Sequence, residues 1–309
     1  MHNEIGKSVR YTLKQIAVFD AIAENGSVSQ AADYLSLTQS ATSMSLSQLE
    51  KILGRALFER QGKQMRLTHW GEWLRPRARR LLQDARQIET GFFDLQGISG
   101  DLTLCASQTP AEHLLPELIS LLDHRYPDVR IKVSVKSSHN VIEDVLNYRS
   151  DLGIIEGRCD DHRLCQEIWC SDQLMIVAAP DHPYASLPSV SFELLAQARW
   201  VLREPGSGTR MVFESAIHPY VAQLDVWREY DFVPLLCSLT AHSDYLTCLP
   251  YLEVKPLIES NQLVALNVPE LKMDRSLSFI WRADVGEHPL IDCIRTTGLH
   301  MVEGRSLLR

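Results

Sequence analysis

Ser27-Val-Ser-Gln-Ala-Ala-Asp-Tyr-Leu-Ser-Leu-Thr-Gln-Ser-Ala-Thr-Ser-Met-Ser-Leu-Ser-Gln-Leu-Glu50 reads as two short helices joined by a tight turn. Ala31, Ala32 and Leu35 keep helical spacing on the first helix; Ala41, Met44 (or Ser45) and Leu49 keep it on the second. Leu37 falls in the turn, where it packs between them. Two adjacent alanines let helices approach closely, and Thr38 is placed to cap the second helix. The outer face then shows Gln39, Ser40, Thr42, Ser43 and Ser47, with Ser29 and Gln30 on the helix before. A small, hydroxyl-rich helix fits a DNA major groove, where Gln, Ser and Thr can bond base edges and phosphate oxygens. The pattern is that of a helix-turn-helix whose second helix reads DNA. An ordinary helical hairpin has the same local spacing, so the flanks must separate the two.

Upstream lies Leu13-Lys-Gln-Ile-Ala-Val-Phe19-Asp-Ala-Ile-Ala-Glu-Asn-Gly26. Downstream come Leu53-Gly54, Leu57-Phe58, Arg60, Leu67-Thr68 and Gly71. With Gly26-Ser27, Ala31-Ala32, Leu35, Gln39-Ser40, Ser43 and Leu49-Glu50, this stretch resembles the winged helix-turn-helix of LysR-type transcriptional regulators. Arg60, Lys63 and Arg66 cluster on a wing hairpin around Gly62, suited to backbone phosphate and the minor groove. One position departs from the family pattern: Met44 stands where an Arg is frequent, so no base preference is carried over.

The length, 309 residues, suits two or three domains, and 45% hydrophobic with 23% charged residues is ordinary for a globular protein. The charge is unevenly spread. Residues 1–96 hold 13 Lys and Arg against 10 Asp and Glu, a balance of +3, leaving −11 for the rest of a chain whose total is −8. Only the basic end is suited to a polyanion. There is no apolar run of membrane-spanning length and no signal-peptide pattern at the start, so a cytoplasmic protein is expected. Seven scattered cysteines without a C-x-x-C argue against a disulfide framework or a zinc site, and no cofactor is implied. Cys159, Cys165 and Cys170 lie close in sequence and leave a redox role open.

Thr68 caps a long helix whose Trp70, Leu74, Ala78, Leu81, Ala85, Ile88 and Phe92 form one apolar seam with an Arg-rich back. Pro76 removes a backbone donor within it. A seam of that length predicts a second copy of itself as partner, through Leu74, Ala78, Leu81, Ala85 and Ile88; the resemblance implies the same, a linker helix that dimerises the DNA-binding domains. Residues 97–100 read as a hinge.

From Asp101 the rhythm changes to strand–helix alternation: Leu102–Ala106, a helix from Glu112 to Arg125, Val129–Val135, a helix near 141–147, and a buried strand over 151–157. Such an order predicts a mostly parallel sheet with ligands at its carboxyl edge. Strands at 174–179, 200–202 and 277–281 and helices near 192–198 and over 289–301, with another opened by the stretch 204–210, complete it. This half resembles the two-lobed, periplasmic-binding-protein-like effector domain of the same family. The matching pieces include Ser107-Gln-Thr109, Tyr126-Pro127, Asp151-Leu-Gly-Ile and Arg203-Glu-Pro-Gly-Ser-Gly-Thr-Arg210. They look nearest the branch that includes regulators of sulfur and carbon assimilation. The expected division is a winged helix-turn-helix over 1–67, a linker helix over 68–96 and an α/β effector domain over 101–309. Its first lobe spans about 101–171 and 275–309, its second 172–274.

Hydroxyls and free amides at helix starts favour an anion. Three such starts are expected to converge between the lobes: Ser107, Gln108 and Thr109; Ser137 and Ser138; and Gly206, Ser207, Gly208 and Thr209, with Arg203, Arg210 and Glu156 beside them. The effector would be a small anion or carboxylate. Around Asp231–Tyr245 the family's polar helix cap is replaced by Phe232 and Val233, which makes the pocket more apolar or differently shaped. The expectation is a DNA-binding, homodimeric or homotetrameric regulator of operator DNA, with RNA polymerase as a further candidate partner. Two alternatives stand beside it: an effector-free oligomerisation domain, and an enzyme holding phosphate on Gly206–Thr209, which lacks any P-loop or Gly-x-Ser-x-Gly support.

Overall fold

The computed structural model describes residues 9–61, 64–93, 98–286 and 288–303. The chain forms two compact units, residues 1–96 and 97–309.

In the first unit, α1 (Leu13–Asn25) starts at a reciprocal cap: Thr12 Oγ1 accepts from Gln15 N at 3.2 Å and Gln15 Oε1 accepts from Thr12 N at 2.9 Å. Helix α2 (Val28–Tyr34) follows from its Ser27 cap. The turn through Ser36, at φ 55°, leads to α3 (Gln39–Leu53), whose Thr38 cap accepts from Ala41 N at 3.2 Å. Strands β1 (Phe58–Gln61) and β2 (Gln64–Leu67) pair antiparallel, with Glu59 opposite Arg66. Glu50 Oε1 accepts from the backbone N–H of Leu57 and Phe58, tying α3 to the wing. Phe19, Ile22, Ala31, Leu46, Leu49 and Phe58 make the core, the Phe19 and Phe58 rings 5.5 Å apart. Helix α4 (His69–Phe93) begins at Thr68, whose Oγ1 accepts from Gly71 N. A Cβ on Gly71 would sit 2.2 Å from Leu57 O, so only glycine lets α4 start against the wing.

The second unit is built on a nine-stranded mixed sheet. Strand β3 (Gly100–Ala106) lies parallel to both β4 (Val129–Val135) and β5 (Leu152–Glu156). The single helix expected from Glu112 to Arg125 is two: α5 (Gln108–His113) and α6 (Leu115–Arg125). Pro116 explains the break, since it lacks an N–H and is tolerated only in a helix's first turn. Helix α7 (Ser138–Leu146) completes this layer. Strand β6 (Leu164–Ala178) begins ten residues before the expected start at Leu174 and runs antiparallel to β11 (Asp274–Arg282). These two strands pass through both lobes. The second lobe adds α8 (Phe192–Gln197), β7 (Arg199–Arg203), α9 (Gly208–Ile217), β8 (Asp225–Tyr230), α10 (Val233–Ala241), β9 (Tyr245–Pro250), α11 (Tyr251–Glu259) and β10 (Val264–Ala265). Helix α12 (Pro289–Val302) returns to the first lobe.

Each lobe has its own core. Leu102, Leu118, Ile154, Trp169, Phe279 and Ile294 fill the first, where Trp169 stacks on Phe279 at 4.8 Å and donates to Gly298 O at 2.7 Å. Leu174, Ile176, Trp200, Phe213 and Leu246 fill the second. Among the described residues no helix is long and apolar enough to cross a membrane.

Candidate functional site

The outward face of α3 shows Gln39, Ser40, Ser43 and Ser47, all exposed, with Ser29 and Gln30 exposed on α2. Two expectations for α3 are corrected. Thr42 is fully buried and its Oγ1 donates to Thr38 O at 3.1 Å, so it belongs to the inner face with Leu46 and Leu49. Met44, expected inside, is 61% exposed among the polar groups. The inner face follows Thr42, Leu46 and Leu49, at steps of four and three; a phase counted from Ala41 places it one residue off. On the wing, Arg60 and Arg66 are exposed; Lys63 lies outside the described residues.

The seam of α4 is split. Ala78 is buried, and Leu74 and Leu82 pack with it against the core of α1. The Arg-rich back is also engaged: Arg79 Nε donates to Asp20 Oδ1 at 2.8 Å and Arg75 Nη2 to Glu24 Oε2 at 2.6 Å. The expectation that Leu74 and Ala78 meet a second copy is therefore corrected: they pack in the core of their own unit. Leu81 and Ile88 remain 36% and 64% exposed, Ala85 is half-buried, and Trp70 and Trp73 stand exposed beside them. The Phe92 side chain and Gly97 lie outside the described residues.

In the second unit the expected helix starts meet at Glu156 of the chain itself, two of them at its carboxylate and the third at its backbone N–H. Thr109 N, at the start of α5, donates to Glu156 Oε1 at 3.1 Å. Thr209 Oγ1, at the start of α9, donates to Glu156 Oε2 at 2.9 Å. Ser138 Oγ, at the start of α7, accepts from Glu156 N at 3.2 Å. A Cβ on Gly208 would meet Glu156 and Ser138 at 2.7 Å, so the lobes touch there across a glycine. Arg275, wholly buried, completes the cluster. It donates to Asp172 Oδ2 from Nε and Nη2 at 2.8 and 2.6 Å, to Glu156 Oε2 and Thr209 Oγ1 from Nη1 at 2.6 and 2.9 Å, and to Thr109 Oγ1 from Nη2 at 3.0 Å. All five guanidinium N–H groups are satisfied. Burial alone would raise the Glu156 carboxyl, but the charges of Arg275 and Arg203 and the bonds from Thr209 and Thr109 outweigh it and hold it at about 2.

Thr109, Glu156 and Thr209, expected to hold an external ligand, are thus turned toward Arg275. The sequence reading missed Arg275 and Asp172; an isolated arginine opening the apolar run from Leu277 to Trp281 was the available signal. Most of the remaining expected residues have local partners. Ser137 and Ser207 cap α7 and α9. Gln108 donates to Glu112 Oε1 at 2.8 Å, and Arg203 to Glu204 at 2.8 and 3.0 Å. Arg210 donates to Glu214, to Glu229 Oε1 and to Arg203 O. Ser107 precedes α5 without capping it, and its buried Oγ has no hydrogen-bond partner. Phe232 precedes α10 with no side-chain cap.

Beside the buried cluster opens a cavity of about 710 Å³ with walls from both lobes. Ser138, Gly206 and Arg210 line it, with His139, Arg158, Cys159 and Met211. Burial raises the thiol pKa of Cys159, and of Cys170 to about 12, which leaves both protonated and slow to oxidise.

Residues 13–72 match the family described as "Bacterial regulatory helix-turn-helix protein, lysR family", and residues 95–297 the family described as "LysR substrate binding domain". The uncharacterised HTH-type transcriptional regulator YeiE of Escherichia coli strain K12 is 34% identical over 284 residues, covering 92% of this chain and 94% of that protein. The RuBisCO operon transcriptional regulator of Allochromatium vinosum is 32% identical over 204 residues, covering 66% and 67%. A full-length OxyR variant from Pseudomonas aeruginosa superposes with a TM-score of 0.73 at 19% identity, covering 94% of this chain and 95% of that one. The reading helix, the wing and the two-lobed α/β domain are thereby accounted for together: the chain belongs to the LysR family of DNA-binding transcriptional regulators, with an effector-binding domain behind its helix-turn-helix.

Proposed function

We propose that the chain is a cytoplasmic, non-enzymatic regulator that binds operator DNA as a homodimer or homotetramer and answers to a small anion or carboxylate held between its lobes. Its working parts are residues 1–67 for DNA, 68–96 for dimerisation and 101–309 for the effector. Gln39, Ser40, Ser43, Met44 and Ser47 read bases, while Ser29, Gln30, Arg60, Lys63 and Arg66 meet the backbone. The exposed stripe of α4, Trp70, Trp73, Leu81 and Ile88, meets a second copy.

The observation that carries the effector reading is the cavity of about 710 Å³, which is of ligand size and takes walls from both lobes. A ligand there touches both lobes at once, so its affinity depends on their arrangement, and that difference is what shifts an equilibrium. Arg158 on its wall has no carboxylate partner among the described residues, and the start of α7 opens on the same space. The test is calorimetric titration of the full chain with a panel of small anions and carboxylates, parent against Arg158→Gln. A ligand bound by the parent and weakened by the variant supports the reading. The Glu156 carboxylate favours a second reading: it already accepts at two of the three helix starts, from Thr109 N and Thr209 Oγ1, as it would in an effector-free domain. A panel in which nothing binds favours that reading.

A further inference from the structure

The inter-lobe face carries a second cluster, away from Arg275. Glu112 and His113 end α5 in the first lobe; Glu253 lies in the first turn of α11 in the second. One ligand-type atom from each lies within 4.8 Å of the other two. We propose that Glu112, His113 and Glu253 bind one divalent transition-metal ion of the zinc type, which bridges the two lobes.

The geometry is close to what such an ion needs. Zinc bonds to His nitrogen and carboxylate oxygen are about 2.0–2.2 Å, which sets ligand atoms about 3.3 Å apart around a tetrahedron. His113 Nε2 and Glu253 Oε1 already stand 3.1 Å apart. That closeness is not a good hydrogen bond: Glu253 Oε1 is buried and accepts none, in a side chain only 9% exposed. With His113 neutral, a buried carboxylate oxygen beside a ring nitrogen and without a hydrogen bond leaves both atoms open to a shared cation. Glu112 is oriented from behind by the Gln108 amide at 2.8 Å, the kind of outer bond that fixes a ligating carboxylate.

The charge balance agrees. Two carboxylates and one imidazole gather at one point, and an ion there supplies positive charge to both carboxylates while the imidazole binds it in its neutral form. One nitrogen and two oxygens, with a fourth position left for water, suit Zn²⁺ or its neighbours Co²⁺, Ni²⁺ and Mn²⁺. Glu112 and Glu253 are about 140 residues apart in sequence, so no spacing motif announces the site. Helix α5 also carries Thr109, which bonds Arg275, so an ion here would hold the lobes at the same helix from its other end. None of this depends on the effector reading.

The test is titration of the full-length chain, free of any histidine tag, with Zn²⁺ by calorimetry and with Co²⁺ by visible absorption. We expect one ion per chain, the intense d–d bands of low-coordinate Co²⁺, and a rise in Tm with Zn²⁺. His113→Gln and Glu253→Gln should each weaken binding about tenfold or more and remove the rise in Tm. Glu253→Gln is nearly isosteric, so it decides the matter if His113→Gln does not fold. No stoichiometric binding by the parent, or equal binding by parent and Glu253→Gln, would overturn the site.

Discussion

Arg275 and Asp172 stand opposite each other in register on the two antiparallel strands that run between the lobes, with Nη2 2.6 Å from Oδ2 and neither side chain exposed. The pair sits where β6 and β11 cross from one core to the other. Through Glu156, Thr109 and Thr209 it gathers helix starts from both lobes onto one guanidinium.

Removing that guanidinium strands two carboxylates without water. Arg275→Met should therefore destabilise the second unit by about 3–5 kcal/mol, the cost of breaking a buried pair by one partner. Urea denaturation of the full chain, followed by tryptophan fluorescence, measures it. A midpoint equal to the parent's would show that the cluster does not hold the lobes.

Glu156 makes a pH prediction. Its carboxyl is held at about 2 in the fold against an ordinary 4.5. A depressed folded value means that the stability it adds is fully present above 4.5 and is lost as pH falls toward 2. The contribution at neutral pH is on the order of 3 kcal/mol. Denaturation of the parent and Glu156→Gln at several pH values should show a gap that is widest above pH 4.5 and narrows below it. A gap that does not change with pH would mean that charge on Glu156 is not what matters.

For α4, Leu81→Asp should leave the first unit folded, because Leu81 is partly exposed and outside its core. It should nevertheless place an unpaired charge in a dimer contact. Light scattering should report a smaller species with unchanged helix content by circular dichroism. Ala78→Asp, by contrast, should unfold the unit, since Ala78 is buried within it. An unchanged mass for Leu81→Asp would move the dimer contact elsewhere.

How much of this was legible in the sequence differs by element. The helix-turn-helix and its wing follow from local chemistry: Thr38 caps α3 as expected, and the structure adds caps of the same kind at Thr12 and Ser27 and helix ends at Gly26 and Gly54 in the left-handed region. Strand β4 matched its expected bounds because its ends are marked by Tyr126-Pro127 and Lys136. The first half of β6 did not show, because residues such as Gln166 and Glu167 interrupt its apolar pattern and Ile168 faces out. The candidate anion site was legible as three helix starts. That the carboxylate of Glu156 in the same chain bonds at two of them was not, because the bonds of Glu156 to Thr109, Thr209 and Arg275 span 47, 53 and 119 residues. Ala78 escapes the seam reading for a related reason: a helical seam records which residues are apolar but not which helix they meet.

The most direct test of the account is selection of DNA from a random library by the full-length chain, followed by affinity measurements on the enriched sequence. The account predicts a two-half-site sequence, a loss of about 1–3 kcal/mol for Gln39→Ala on that sequence alone, and undiminished binding of Gln39→Ala to unrelated DNA. Thr42→Val, changed on the buried face, should keep the parent's sequence preference. No enriched sequence, or a Gln39→Ala variant that binds every DNA as the parent does, would contradict it.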